Sequence, residues 1–183
     1  MTTLEGRDRT ALLVVDVQND VMKEAFDADA VVGRIAALVD RARAQDAPVV
    51  WVQHSDEELV HGGEGWRIVP SLEPAPDDRR VEKLHGDSFE GTDLEGVLAD
   101  LGVGRLVVAG AESDACIRST IHGAFARGYD TILVGDAHTS GDKTAWGAPS
   151  PAQVTAHMNM YWGFQSAPGK TAGVVDADDV VFG

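Results

Sequence analysis

Cysteine is almost missing from this chain: its 183 residues include one, Cys116. A lone cysteine excludes an internal disulfide and a Cys-rich zinc site. It also makes a reducing cytoplasm the expected compartment. Basic residues are scarce. Fifteen lysines and arginines against thirty acids give a formal net charge of -15. With no basic stripe, that imbalance argues against nucleic acid or an anionic membrane as a partner. Long apolar runs are missing as well. None approaches the roughly 20 residues that cross a bilayer, and Ala11–Val15 is too short for the core of a signal peptide. No repeat, low-complexity tract or linker divides the chain, so a single domain over 1–183 is expected.

What is present is a series of short apolar runs separated by helical periodicity. Ala11–Val15 is continuous and apolar and closes on Asp16, the mark of a strand buried on both faces. From Asp29 to Ala44, Val32, Ile35, Ala36 and Val39 recur at helical spacing. Val49–Val52 is a second strand, followed by Gln53 and His54. Residues 55–78 carry six glycines and prolines and read as a functional loop or lid. Val81–Lys83 is a short strand. Thr92 with Glu95 predicts a capping box for a helix to Leu101. Leu106–Ala109 and Thr131–Val134 are further strands, with a helix from Ile117 to Arg127 between them. Pro151 starts a helix to Trp162, and Val174–Val175 and Val180–Val181 are short strand candidates. This alternation predicts an α/β fold, a three-layer sandwich with a mainly parallel sheet flanked by helices.

Three chemistry-bearing side chains stand at or just past the ends of apolar strands: Asp16, Lys83 and Cys116. Ligands of open α/β sheets bind outside those ends. A base, a cation and a nucleophile together are what attack on an unreactive carbonyl requires. Cys116 at a helix start also sits where free N–H groups and the dipole favour a thiolate.

Four segments resemble the isochorismatase-like cysteine hydrolases, a family that includes nicotinamidases. They are Ala11–Asp20, Val81–Leu94, Gly110–Ile117 and Gly128–Ala137, in the family's order. The resemblance implies a flavodoxin-like fold and a triad in which Cys116 is the nucleophile, Asp16 shuttles the proton and Lys83 biases Asp16 toward its charged form. It further implies a cis Ala111–Glu112 bond, with the backbone N–H groups of Glu112 and Cys116 facing the developing oxyanion. Members commonly form dimers or tetramers, so a homodimer or homotetramer is expected.

The Asp-x-His spacing of the nicotinamidase metal site is absent. His54 and His61 are therefore expected to serve as ordinary polar groups, with no metal and no organic cofactor. Candidates for substrate contact are His54, Trp66, Ala111 and Val21, with Trp66 as an aromatic wall or a loop anchor. Arg118 and His122 are assigned to a solvated helix face, and Trp146, Tyr161 and Trp162 to packing of the last helix. Glu112 beside Asp114 would make the vestibule anionic, which disfavours a dianion such as isochorismate. The Gln53–Trp66 loop and the Asp114–Thr120 run most resemble the streptothricin hydrolases, which open a lactam in a polycationic antibiotic. The expectation is a small amide or lactam substrate, possibly cationic, cleaved through a Cys116 thioester. The rivals are another amidase of the family (ureidoacrylate, carbamoyl or nicotinamide type) and a binding protein of the same fold.

Overall fold

Strand β1 (Arg9–Val15) lies at the centre because its side chains are apolar on both faces. Leu12 and Val14 enter one buried cluster, while Ala11, Leu13 and Val15 enter the other. The computed structural model describes residues 2–183. Around β1 the sheet is ordered β3-β2-β1-β4-β5-β7-β6, with β2 (Val49–His54), β3 (Arg79–Lys83), β4 (Val103–Ala111), β5 (Asp130–Thr139), β6 (Ser166–Ala167) and β7 (Lys170–Val175). Every pairing is parallel except β6 with β7.

Helix α1 (Asn19–Met22) is a single turn after β1. Helix α2 (Ala28–Ala44) covers one face through Val31, Ile35, Leu38, Val39 and Ala42. Helices α3 (Leu94–Asp100), α4 (Arg118–Arg127) and α5 (Pro151–Gly163) cover the other. The result is the three-layer sandwich predicted from the strand and helix alternation. Among the described residues no helix is long and apolar enough to cross a membrane.

The chain runs outward from β1 through β2 to β3, then returns to the far side of β1 as β4. The crevice of such a sheet opens where the direction reverses, between β1 and β4. Close approach there needs Gly110. A Cβ at this residue, with φ of 129°, would lie 2.0 Å from Val15 O. The same register places Val15 opposite Gly110 and His54 opposite Lys83. Asp16, Lys83 and the segment after β4 therefore emerge at one edge.

Local departures from the sequence expectations have identifiable causes. Thr92 is not an N-cap: Asp93 precedes α3, and Thr92 Oγ1 donates to Ser88 O at 2.6 Å and accepts from Leu94 N. Glu95 is drawn instead to Arg7 and Tyr129, so no capping box forms. The box appears on α5, where Ser150 and Gln153 bond reciprocally. Val180–Val181 is not a strand. Val180 and Phe182 are buried in the cluster under α2, and Phe182 N donates to Gln45. The segment before α4 is a π-helical turn, Ser113–Ile117, with Cys116 inside it.

Candidate active site

Each of the three strand-end side chains is delivered by the sheet register. Asp16 follows β1 directly, in a left-handed backbone conformation of φ 53° that few residues other than Gly, Asn and Asp tolerate. Lys83 is the last residue of β3. Cys116 rides on the π-helical turn after β4, where the amides of Ala115 and Ile117 both close on Glu112 O. The Ala111–Glu112 peptide bond is cis.

The structure brings these three together. Lys83 Nζ is 2.6 Å from Asp16 Oδ2, 3.2 Å from Cys116 Sγ and 3.4 Å from His54 Nδ1. The three N–H donors of the ammonium thus meet three acceptors. Asp16 and Lys83 are buried, at 2 % and 0 % side-chain exposure, while Cys116 is half-exposed. Apart from the ion pair, neither carboxylate oxygen of Asp16 has a well-directed hydrogen bond. His54 Nε2 in turn lies 3.2 Å from Asp56 Oδ2.

Burial reverses the electrostatic expectation. Asp16 is held above the usual carboxylate range because desolvation outweighs the attraction of Lys83. The Cys116 thiol is pushed up to about 12, first by burial and then by the negative Asp16, against the pull of Lys83. A resting thiolate, expected from the helix-start position, is therefore not what this enclosure favours. The group fits a protonated sulfur beside a reluctant carboxylate that takes its proton only as a bond to carbon forms. Alkylation of Cys116 by iodoacetamide should show no inflection between pH 7 and 10. An inflection near the ordinary thiol value of about 8.5 would contradict this ionisation state.

A cleft of about 640 Å³ opens onto this group, with Asp16, Cys116, Glu112 and His54 in its wall. Its far side comes from Val21 and Glu24, from Leu59, and from the segment after β5 that carries Lys143 and Trp146. Val21 and His54 therefore reach the cleft as expected, and Glu112 and Cys116 share its wall. Two expected contacts do not. Ala111 is completely buried in the core under α2, and it offers no side chain to the cleft. Trp66 packs against His61 with tilted rings, 4.5 Å between centroids, and lines a separate cleft with Gln53 and Arg80. Its carbonyl accepts from both Gln18 and Gln53, so Trp66 anchors its loop.

The aromatic residue at the mouth is Trp146, 84 % exposed and not part of the last helix. Tyr161 and the buried Trp162 do pack α5, and Arg118 and His122 lie on an exposed helix face as expected, His122 also bonding Tyr161 at 2.7 Å. Nor are the histidines grouped as a metal site. His61 Nε2 lies 3.1 Å from Glu82, and among the described residues no three potential ligands gather.

The vestibule is acidic, and Lys143 offsets only part of the charge of Glu112 and Asp114. Lys143 Nζ bonds both, at 3.0 and 2.9 Å, and Asp114 also accepts from Ser140. Burial raises Asp114, yet its bonds to Lys143 and Ser140 hold it below the ordinary range. Further acids around the cleft are Asp20, Glu24, Glu58 and Asp142, with Asp56 beside His54.

Sequence reasoning missed Gln18 and Lys143. Gln18, fully buried, bonds His54 N, His54 O and Trp66 O, tying β1, β2 and the long loop together. Its signal was a glutamine two residues beyond Asp16, at the close of the buried first strand. Lys143 had no signal, because its partners lie 29 and 31 residues away.

Comparison with known proteins shows the family and the fold. The isochorismatase domain matches residues 10–160. A streptothricin hydrolase of Streptomyces noursei is 40% identical over 139 residues, 72% of this chain and 55% of that protein. The chain thus spans about half the length of that relative. Among solved structures, a putative isochorismatase hydrolase from Oleispira antarctica superposes with a TM-score of 0.82 at 30% identity, covering 98% of each chain. An N-carbamoylsarcosine amidase from Thermoplasma acidophilum does so with a TM-score of 0.73 at 26% identity, covering 94% of this chain and 98% of that one.

Proposed function

Because this chain belongs to the isochorismatase family, we propose that it is a cysteine hydrolase of C–N bonds, acting on an amide or lactam that carries positive charge. The observation that carries this reading is the contact of one buried ammonium, Lys83, with both Asp16 and Cys116 at the wall of an open cleft.

In the reaction Cys116 Sγ attacks the carbonyl carbon while its proton passes to Asp16. Negative charge gathers on the carbonyl oxygen, opposite the backbone N–H groups of Glu112 and Cys116. Asp16 then gives the proton to the departing nitrogen, the C–N bond breaks and a thioester remains. Water attacks the thioester, Asp16 takes a proton from it, and the acid leaves as the thiol is restored. Lys83 stays charged throughout and holds the carboxylate in place. No organic cofactor enters.

Because Asp16 must be ionised to accept the proton, kcat/KM falls as pH drops through its raised pKa. The acid limb therefore lies above the ordinary carboxylate value of 3.8. A profile whose acid limb sits at or below that value would contradict Asp16 as the base.

The preference for a cation rests on the excess of carboxylates around the cleft, among them Asp20, Glu24, Glu58 and Asp142, and on Trp146, whose exposed face suits an ammonium group. The lactam acted on by the Streptomyces relative is the leading candidate. The test is a screen of neutral, anionic and cationic amides and lactams. Cationic members should be turned over with the highest kcat/KM, that preference should weaken with added salt, and intact mass should show an acyl adduct on Cys116. Preference for anionic substrates would overturn the charge assignment, and turnover with no role for Cys116 would overturn the reaction class.

A further inference from the structure

Beneath the turn that carries Cys116 lies a second polar group, outside the cleft. Ser113 Oγ is 2.7 Å from His138 Nδ1, His138 Nε2 is 2.9 Å from Asn159 Oδ1, and Asn159 Nδ2 donates to Gly135 O at 2.8 Å. Ser113 and His138 are 0% and 2% exposed. Polar groups this deep are costly unless their bonds are complete.

Three features of the fold converge on this chain of bonds. Pairing of β4 with β5 shifts from Val108 opposite Leu133 to Gly110 opposite His138, so β5 carries three extra residues before His138. Ala137 enters the cluster under α2, and the alternation of a strand sends the next side chain, His138, toward the opposite face, where α5 supplies Asn159. Gly135 leaves room, since a Cβ there would lie 2.7 Å from Val174 and 3.2 Å from Asn159 Nδ2.

The bonds also run in one direction. Asn159 Nδ2 is committed to Gly135 O, so Asn159 Oδ1 must accept from His138 Nε2–H. His138 Nδ1 is then the acceptor, and Ser113 Oγ–H the donor. Burial lowers the pKa of His138, in keeping with a neutral ring. Ser113 is the first residue of the π-helical turn and Cys116 the fourth. The turn's outward anchor is Asp114, on Ser140 and Lys143; its inward side-chain anchor is Ser113.

We propose that Ser113, His138 and Asn159 form a buried relay that sets the position of Cys116, with His138 as a positioning residue in one fixed tautomer. This rests on the reading of Cys116 as nucleophile. The relay contacts no reacting atom and acts through the placement of the turn.

The test compares Ser113→Ala, His138→Gln, His138→Asn and the Ser113→Ala/His138→Gln pair. Loss of the Ser113 anchor should lower kcat roughly 10- to 100-fold, the scale of small misplacements of a reacting group, with KM within about twofold. His138→Asn keeps an acceptor near the Nδ1 position and should hold kcat within about threefold of the parent. The pair should be no worse than its more damaging member, because both break one relay.

Folded Ser113→Ala and His138→Gln variants, as judged by thermal unfolding, with kcat within about twofold of the parent would overturn the proposal. So would a loss confined to KM or to the melting temperature. Should His138→Gln fail to fold, Ser113→Ala decides the matter by the same criteria. The reading beneath it fails separately: if Cys116→Ala retains turnover, Cys116 is not the nucleophile. In that case the iodoacetamide rate of Cys116 still tests the relay, with Ser113→Ala altering it if the relay places the sulfur and leaving it unchanged if not.

Discussion

Cys116→Ala is expected to lower turnover by roughly four orders of magnitude or more, the scale seen when a nucleophile acting as part of a unit is deleted. The fold should survive, because Cys116 is half-exposed and only borders the core on the α3–α5 face of the sheet. Circular dichroism and the melting temperature should therefore stay near those of the parent while the rate collapses. Cys116→Ser should also fail badly. Its hydroxyl is a much weaker acid than a thiol, and Asp16 beside Lys83 is a modest base. Thioester accumulation in the parent, seen by intact mass, should vanish in both. Full turnover by either variant would remove Cys116 from the chemistry.

The second large effect concerns Lys83. Its ammonium is completely buried against Asp16, and removing one member of such a pair costs about 3–5 kcal/mol because the other is left uncompensated. In Lys83→Met, Asp16 would escape part of that cost by taking a proton. It could then no longer accept one from the thiol, so kcat at neutral pH should fall by roughly 100-fold or more. The Lys83→Met/Asp16→Asn pair should recover part of the lost stability, since no bare charge remains, but none of the activity. Denaturant unfolding read beside turnover separates the two effects. A Lys83→Met protein within about 1 kcal/mol of the parent and fully active would show that the ion pair serves neither purpose.

These two variants also mark how much of the site was legible in the chain. Asp16, Lys83 and Cys116 stood out because each is a reactive side chain at the close of an apolar run, and parallel strands deliver such positions to one edge. The ionisation of the group did not stand out. Opposite charges nearby suggested a thiolate, whereas the raised thiol comes mainly from burial, a property of everything folded around the sulfur. The choice between wall and loop anchor for Trp66, and the place of Trp146 at the cleft instead of on the last helix, were not legible for a similar reason. Both are tryptophans in glycine-flanked segments, and only the bonds from Gln18 and Gln53 to Trp66 O show which one is tied down.

From the order of residues alone came the layered α/β architecture, because the alternation of buried strands and amphipathic helices is a local pattern. The three strand-end side chains came from the same pattern. Charge compensation did not. Lys143 offsets part of the charge of Glu112 and Asp114, and Asp20, Glu24, Asp56, Glu58 and Asp142 add to the acidity of the cleft. Those groups are scattered along the chain, and their electrostatic coupling depends on distance through the folded interior, which neighbouring letters do not encode.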